Sequence, residues 1–172
     1  MINIRQAVPN DSKEYLSFLN KLDSETSFML YEPGEIKATD EDMKRRIEES
    51  IKGSFLIFAE NNDKIIGFLS ANRGHVNRIK HSAYIVIGIL EDFRGKGLGK
   101  RLFEELESWA INNKIIRLEL VVMVNNEKAI RLYKKMGFKI EGTKEKACIV
   151  NGEFVDEYYM GKVYHRFHRL QM

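Results

Sequence analysis

Apolar and polar residues alternate along INIRQA (2–7), the two-residue period of a short half-buried strand. The period then lengthens. Tyr15, Phe18, Leu19 and Leu22 fall on one helical stripe, and Asn10 or Asp11 stands where a cap belongs. ETSFMLYEPGE (25–35) keeps no period and contains Pro33-Gly34, which predicts an ordered loop. Thr39 ahead of Asp40, Glu41 and Asp42 marks a second helix start, with Met43, Ile47 and Ile51 at spacing four. SFLIFAE (54–60) and KIIGFLSAN (64–72) read as strands joined through Asn61-Asn62-Asp63, a hairpin signal.

SAYIVIGIL (82–90) is apolar throughout, as a strand buried on both faces would be. Leu98, Leu102, Leu106 and Trp109 place the next segment on a helix, and IIRLELVVMV (115–124) is another strand. NEKAIRLYKKMGF (126–138) reads as a helix with Ala129, Ile130, Tyr133 and Met136 on one side. Gly137 is its left-handed stop, with Phe138 folding back on it. FKIEGT, KACIV, Asn151-Gly152 and EFVDEYYMGK predict a terminal hairpin with a type I′ turn. Residues 162–172 (KVYHRFHRLQM) are expected to be an end strand and tail. The order β-α-α-β-β-β-α-β-α-β-β is that of a mixed α+β chain. Segment 82–124 should form a right-handed parallel crossover, and the hairpins should be antiparallel.

At 172 residues the chain suits a single domain spanning 1–172, and 44% hydrophobic with 31% charged residues is an ordinary globular balance. No apolar run is long enough to cross a bilayer, and the N-terminus shows no export signal. Cys148 is the one cysteine, without neighbours at metal-ligand spacing, so neither a disulfide nor a metal is expected. These features fit the cytoplasm and give no membrane partner. A net charge of +3 argues against a dedicated nucleic-acid binder. Charge is unevenly spread, however. Residues 23–49 carry nine carboxylates (Asp23, Glu25, Glu32, Glu35, Asp40, Glu41, Asp42, Glu48, Glu49) against four basic side chains. The segment reads either as solvated helix faces or as an acidic wall for a cationic substrate.

The chemistry concentrates in GILEDFRGKGLGKRLFEELESWA (88–110). Gly95, Gly97 and Gly99 fall where a strand hands over to a helix, flanked by Arg94, Lys96 and Lys100. A helix start exposes unpaired N–H groups and a partial positive charge, and glycines let the backbone curve around an anion. The stretch reads as a diphosphate cradle. It fails the P-loop pattern, because Arg101 follows Gly99-Lys100 and Arg94 stands at the first glycine position. It also fails the dinucleotide pattern, whose third glycine would be Lys100 or Leu102.

Arg94, Gly97 and Gly99 satisfy R-x-x-G-x-G, which resembles the pyrophosphate loop of the GNAT superfamily of N-acetyltransferases. Asn125, Tyr133, Gly137 and Phe138 fill a second pattern, N-x-x-x-x-x-x-x-Y-x-x-x-G-F, that also resembles that superfamily. The likeness in element order covers nearly all the chain and is sharp over 85–138. It implies a central mixed sheet of about seven strands with helices on both faces. The central parallel strands, 82–90 and 115–124, would splay to admit the pantetheine arm of acetyl-CoA as co-substrate. Backbone groups of Ile87 and Ile89 would pair with that arm, and the N–H of Ile89 or Leu90 would hold the thioester oxygen. Gly88 either marks a bulge there or eases packing. The backbone from Arg94 through Gly95, Lys96, Gly97, Leu98 and Gly99 to Lys100 would hold the diphosphate. Many members carry proline at the place of Glu91, so this turn is less stiff. Asn125 stands at an N-cap position and would also bond the pantetheine arm. Tyr133 belongs to an apolar stripe and, by the resemblance, is the general acid toward the departing thiolate.

Attack on a thioester needs a neutral amine, and for an alkylamine of pKa about 10.4 deprotonation at pH 7 costs roughly 4–5 kcal/mol. Base or substrate-contact candidates are Glu25 and Glu32, then Glu35, Tyr84 and Glu119, or a water chain; Glu119 has Arg117 nearby in sequence as an alternative partner. His75 and His81 flank a polar turn and read as exposed. The expectation is acetyl transfer to a primary amine by direct attack in a ternary complex, the acidic segment favouring a small cationic amine. A protein N-terminus or lysine is the alternative acceptor. A catalytically silent CoA-binding sensor is the alternative of another class, and a homodimer is what the resemblance implies for assembly.

Overall fold

The computed structural model describes residues 1–165. Its elements are β1 (Asn3–Gln6), α1 (Ser12–Glu25), α2 (Asp40–Ile51), β2 (Phe55–Asn61), β3 (Lys64–Arg73) and β4 (Ser82–Ile89). These are followed by α3 (Leu98–Asn112), β5 (Arg117–Met123), α4 (Glu127–Lys135), β6 (Lys139–Val150) and β7 (Glu153–Val163). The order is the one the hydrophobic pattern predicts. The seven strands hydrogen-bond as β1-β2-β3-β4-β5-β7-β6. β4 and β5 are parallel, through Ser82–Arg117, Ala83–Leu118 and Tyr84–Glu119, and the β1–β2, β2–β3, β5–β7 and β6–β7 ladders are antiparallel. The mixed α+β class with a central parallel pair therefore stands. Contacts group the chain into two compact units, Met1–Asn72 with Val86–Leu106, and Arg73–Ile85 with Glu107 onward.

In the first unit, Asn62 and Asp63 take φ of 50° and 59° between the paired residues Asn61 and Lys64. Two consecutive left-handed residues make the type I′ turn whose twist matches the strands. The stripe of α1 lies on this hairpin. The Tyr15 ring is 4.7 Å from Phe58 and 5.6 Å from Phe68, and Phe18 is 5.9 Å from Phe68. Phe58, Ile47, Leu69 and Leu102 have no exposed surface. α2 starts as predicted. Thr39 Oγ1 accepts from the Asp42 N–H at 3.1 Å, and the Asp42 carboxylate accepts from the Thr39 N–H at 3.0 Å.

The entry to α1 differs from expectation. Asp11, one of the two expected candidates, stands at the N-cap position, but its side chain makes no capping bond. A 3-10 turn, Pro9–Asp11, leads in, and the Asp11 carboxylate points back to accept from the Val8 N–H at 2.8 Å and from Arg5 at 2.7 and 2.8 Å. A cation and an N–H held together outbid a cap alone. Of the two readings of Gly88, the structure supports packing: a Cβ there would sit 2.5 Å from Leu22 Cδ2 and 2.8 Å from Phe68 Cε1.

In the second unit, β7 lies beside β5 over seven pairs and returns against β6. Asn151 and Gly152, at φ 51° and 82°, form the expected type I′ turn. FKIEGT and KACIV join into one strand that carries two register shifts. At the second, Lys146 takes φ 50° and its N–H donates to Asp156 Oδ1 at 2.7 Å. The cap of α4 is Asn126 rather than Asn125, with Asn126 Oδ1 accepting from the Ala129 N–H at 3.3 Å. The helix ends as predicted. Gly137 has φ 92°, its N–H donates to the Lys134 carbonyl, and the Phe138 N–H donates to the Tyr133 carbonyl, both at 3.0 Å. This is a Schellman motif with Tyr133 and Phe138 as its hydrophobic pair. Lys162 and Val163 belong to β7, and the Tyr164 N–H donates to the Ile116 carbonyl at 2.8 Å. The rest of the expected tail, 166–172, lies outside the described residues.

Candidate active site

The first unit holds the glycine-rich turn. β4 ends at Ile89, a 3-10 turn covers Glu91–Phe93, and α3 begins at Leu98. Gly95 and Gly97 take φ of 72° and 81°, and a Cβ built on either meets nothing within 4 Å. Backbone conformation, not crowding, therefore requires glycine at both. The first bond of α3 runs from the Arg101 N–H to the Gly97 carbonyl at 3.2 Å. The N–H groups of Leu98, Gly99 and Lys100 precede it, so they are the ones a helix start offers to an anion. Leu98 is buried, which pins that start to the core. Lys96 lies over the Phe93 ring at 5.9 Å, and Lys100 pairs with Glu104 at 3.3 Å. Both are exposed cations beside the turn. These features fit a diphosphate.

The strand leading into this turn is equally specific. The Leu90 N–H donates to the Ile66 carbonyl at 3.0 Å, so Leu90 faces β3. Backbone groups alternate along a strand, so Ile89 and Ile87 present theirs to the opposite edge. The Ile89 carbonyl there accepts from Arg94 Nε at 2.7 Å. Arg94 thus occupies the acceptor of Ile89 and leaves its N–H as the donor along that edge.

Glu25 is the last residue of α1, not a loop residue. Its Oε2 accepts from the Glu91 N–H at 2.7 Å and lies 4.0 Å from Arg94, while its Oε1 is 3.8 Å from Lys21. The carboxylate braces the end of α1 against the start of the glycine turn, an engagement that counts against a free base. Glu32 is exposed and belongs to a tight turn. The Glu35 N–H donates to its carbonyl at 3.1 Å, its own N–H donates to Glu35 Oε2 at 2.8 Å, and Gly34 has φ 83°. Pro33-Gly34 fits a type II turn. Asp23 was visible in the sequence only as one acidic residue among nine. It is 4% exposed, with Oδ2 buried and unpartnered among the described residues. The one signal for it was a carboxylate directly beside the apolar stripe at Leu22.

The second unit holds the tyrosines. Tyr133 is 8% exposed, with its ring 6.2 Å from Phe138. Burial, with Tyr84 as a further contributor, pushes its hydroxyl well above the ordinary phenol range. Tyr84, on β4, is 37% exposed. Burial raises its pKa too, opposed by a hydrogen bond from the Val121 backbone and assisted by Glu157 and Glu119. A raised pKa makes a phenol a poor base at neutral pH. Glu119 is paired: Arg117 Nε donates to it at 2.8 Å, and the same guanidinium holds Glu141 through two bonds of 2.9 and 2.5 Å. Asn125 is exposed in the turn before α4; His75 is exposed, as expected, whereas His81 is half-buried. No cluster of three or more metal-ligating side chains, and no helix long and apolar enough to cross a membrane, occurs among the described residues.

Comparison with known proteins bears on these features. A 103-residue stretch is 36% identical to the L-amino acid N-acetyltransferase AaaT of Escherichia coli K12, covering 58% of this chain and 62% of that protein, less than two thirds of its length. The spermidine N(1)-acetyltransferase of the same organism is 27% identical over 147 residues, 83% of this chain and 77% of that protein. The crystal structure of a GNAT-family acetyltransferase from Streptococcus pneumoniae superimposes with a TM-score of 0.90 at 33% identity, covering 95% of this chain and 99% of that one. The sequence profile described as Acetyltransferase (GNAT) family matches residues 17–138. With most of its length inside that profile, and with the glycine turn and both strands of the parallel pair among the matched residues, the chain belongs to the GNAT acetyltransferase family.

Proposed function

We propose that the protein transfers an acetyl group from acetyl-CoA to a primary amine, and that the acceptor is a small cationic amine. The observation that carries the first part is the continuity of Ile87 and Ile89, with their outward backbone edge, into the nest of left-handed glycines at the start of α3. A linear ligand with amides at one end and a diphosphate at the other matches that order of groups. When bound, acetyl-CoA supplies the activated acyl group as a thioester.

The residues then divide the work. The N–H groups from Gly95 to Lys100, with Arg94, Lys96 and Lys100, hold the diphosphate. Ile87 and Ile89 align the pantetheine arm, and Asn125 adds a side-chain bond to it. The Ile89 N–H, its carbonyl neighbour held by Arg94, stabilises negative charge developing on the thioester oxygen. Tyr133 keeps its proton at neutral pH, so its O–H is present to donate to the departing sulfur as general acid, and the phenolate left when the thiol takes that proton is re-protonated from water. Glu32, exposed in the loop after α1, is the acidic contact for the incoming amine. With Glu25 engaged, the amine's proton leaves through water.

The cationic acceptor is supported by the acidic segment 23–49 and by likeness to a spermidine acetyltransferase. A second reading, the α-amine of an L-amino acid, rests on the higher identity to AaaT. Calorimetry with coenzyme A tests the first part. A panel of diamines, monoamines and amino acids assayed for thiol release from acetyl-CoA tests the second. No heat with coenzyme A and no thiol release would refute the proposal.

A further inference from the structure

Two acidic side chains close α1, Asp23 and Glu25. Glu25 accepts from the Glu91 N–H, and Lys21 and Arg94 lie close to it. Asp23 is different. It is 4% exposed, its Oδ2 has no hydrogen-bond partner, and no lysine or arginine pairs with it among the described residues. Burial, and then the negative charge of Glu35, drive its pKa upward. Glu35 also has no cationic partner among the described residues. Its Oε2 accepts from the Glu32 N–H at 2.8 Å, a bond that fixes the side chain within the Pro33-Gly34 turn.

Burying an uncompensated carboxylate is unfavourable, and strongly perturbed buried carboxylates concentrate at functional sites. The location gives a counter-charge a purpose. Leu22 and Glu25, on either side of Asp23, meet β4 and its following turn: Leu22 packs on Gly88, and Glu25 bonds the Glu91 N–H. Asp23 therefore lies on the helical turn that abuts the strand carrying Ile89.

We propose that Asp23 and Glu35 form a subsite for a second ammonium group of the acceptor, so that the preferred substrate is a diamine whose far nitrogen is held there while its near nitrogen is acetylated. This rests on the acetyl-transfer reading above. Asp23 supplies a desolvated carboxylate, where an ion pair is strong, and Glu35 supplies a second charge at the exposed rim. A monoamine with a hydrocarbon end in place of the far nitrogen leaves the buried charge uncompensated. An amino acid would bring its own carboxylate toward two others.

The test compares 1,4-diaminobutane with n-butylamine, which differ by one ammonium group. In the unaltered protein kcat/KM should favour the diamine tenfold or more, mainly through KM. Asp23→Asn and, separately, Glu35→Gln should shrink that preference, the first nearly to parity. Glu35→Gln alters an exposed turn residue and retains an acceptor for the Glu32 N–H, so it guards against loss of fold in the Asp23 variant. An unchanged preference in both variants would overturn the proposal. So would an equal fall in kcat on both amines with KM held, which would make Asp23 a proton acceptor. If no thiol is released with any amine, the transfer reading fails. Calorimetric binding of 1,4-diaminobutane, tighter to the unaltered protein than to Asp23→Asn by tenfold, would still support the subsite, and equal binding would refute it.

Discussion

Replacing Glu25 with alanine removes the acceptor of the Glu91 N–H, held at 2.7 Å, together with weaker attractions to Lys21 at 3.8 Å and Arg94 at 4.0 Å. A hydrogen bond to a charged group is worth ~1.5–3 kcal/mol, but the Glu91 N–H is exposed and water can take it up, so the lower end applies. The two cation contacts are partly solvated and add less than about 1 kcal/mol. The net loss is about 1–2 kcal/mol of restraint on the turn that precedes Arg94 and the glycines. If that restraint is what presents the cradle, coenzyme A affinity falls roughly five- to thirtyfold. Glu25→Gln keeps a neutral acceptor for the same N–H and should lose only about threefold, because neutral bonds have about half the strength of charged ones. Calorimetry with coenzyme A gives the affinity, and initial rates give kcat and the KM for acetyl-CoA. An alanine variant that binds coenzyme A as the unaltered protein does would refute the bracing role. So would a glutamine variant that loses its kcat while retaining coenzyme affinity, since that is the signature of a missing base.

Four further outcomes are expected. Gly97→Ala forces a Cβ into a φ of 81° with no atom to clash against, a backbone cost of about 1–2 kcal/mol, and should weaken coenzyme A binding about tenfold by calorimetry. Gly88→Ala drives a methyl against Leu22 and Phe68 and should cost about 1–3 kcal/mol in urea denaturation, with unaltered slope. Tyr133→Phe should lower kcat about a hundredfold; because burial raises the phenol's pKa, its contribution should show no alkaline inflection below about pH 10 in the pH–rate profile. Asp23→Asn should raise the thermal midpoint at neutral pH. The raised native pKa means that the native state gives up this proton less readily than the unfolded chain, so the unaltered protein loses stability as pH rises above the unfolded aspartate value of about 3.9, and the variant's advantage should vanish below it.

Features written in neighbouring residues were legible from the chain alone. The hairpin turn at Asn61–Asp63, the type I′ turn at Asn151-Gly152, the helix start at Thr39 and the Gly137 stop each depend on a few residues and their allowed φ. The glycine turn was legible for the same reason. A one-residue error at the cap of α4 shows the limit of that reading, because Asn125 and Asn126 are chemically alike and only the helix register chooses between them. What tertiary structure decided lies between residues far apart in sequence. Gly88 is required by Leu22 and Phe68, which no local rule brings to it. Glu25 finds an N–H 66 residues away, and so becomes a brace instead of a free carboxylate. β7 seats itself beside β5, ahead of β6, through pairings that hydrophobic alternation permits but does not order. Asp23 carries the same charge as its acidic neighbours in the sequence, and burial alone sets it apart. The chain determines conformation wherever sterics and hydrogen bonds act over a few residues; desolvation and long-range pairing depend on which distant surfaces meet, and only the fold specifies that.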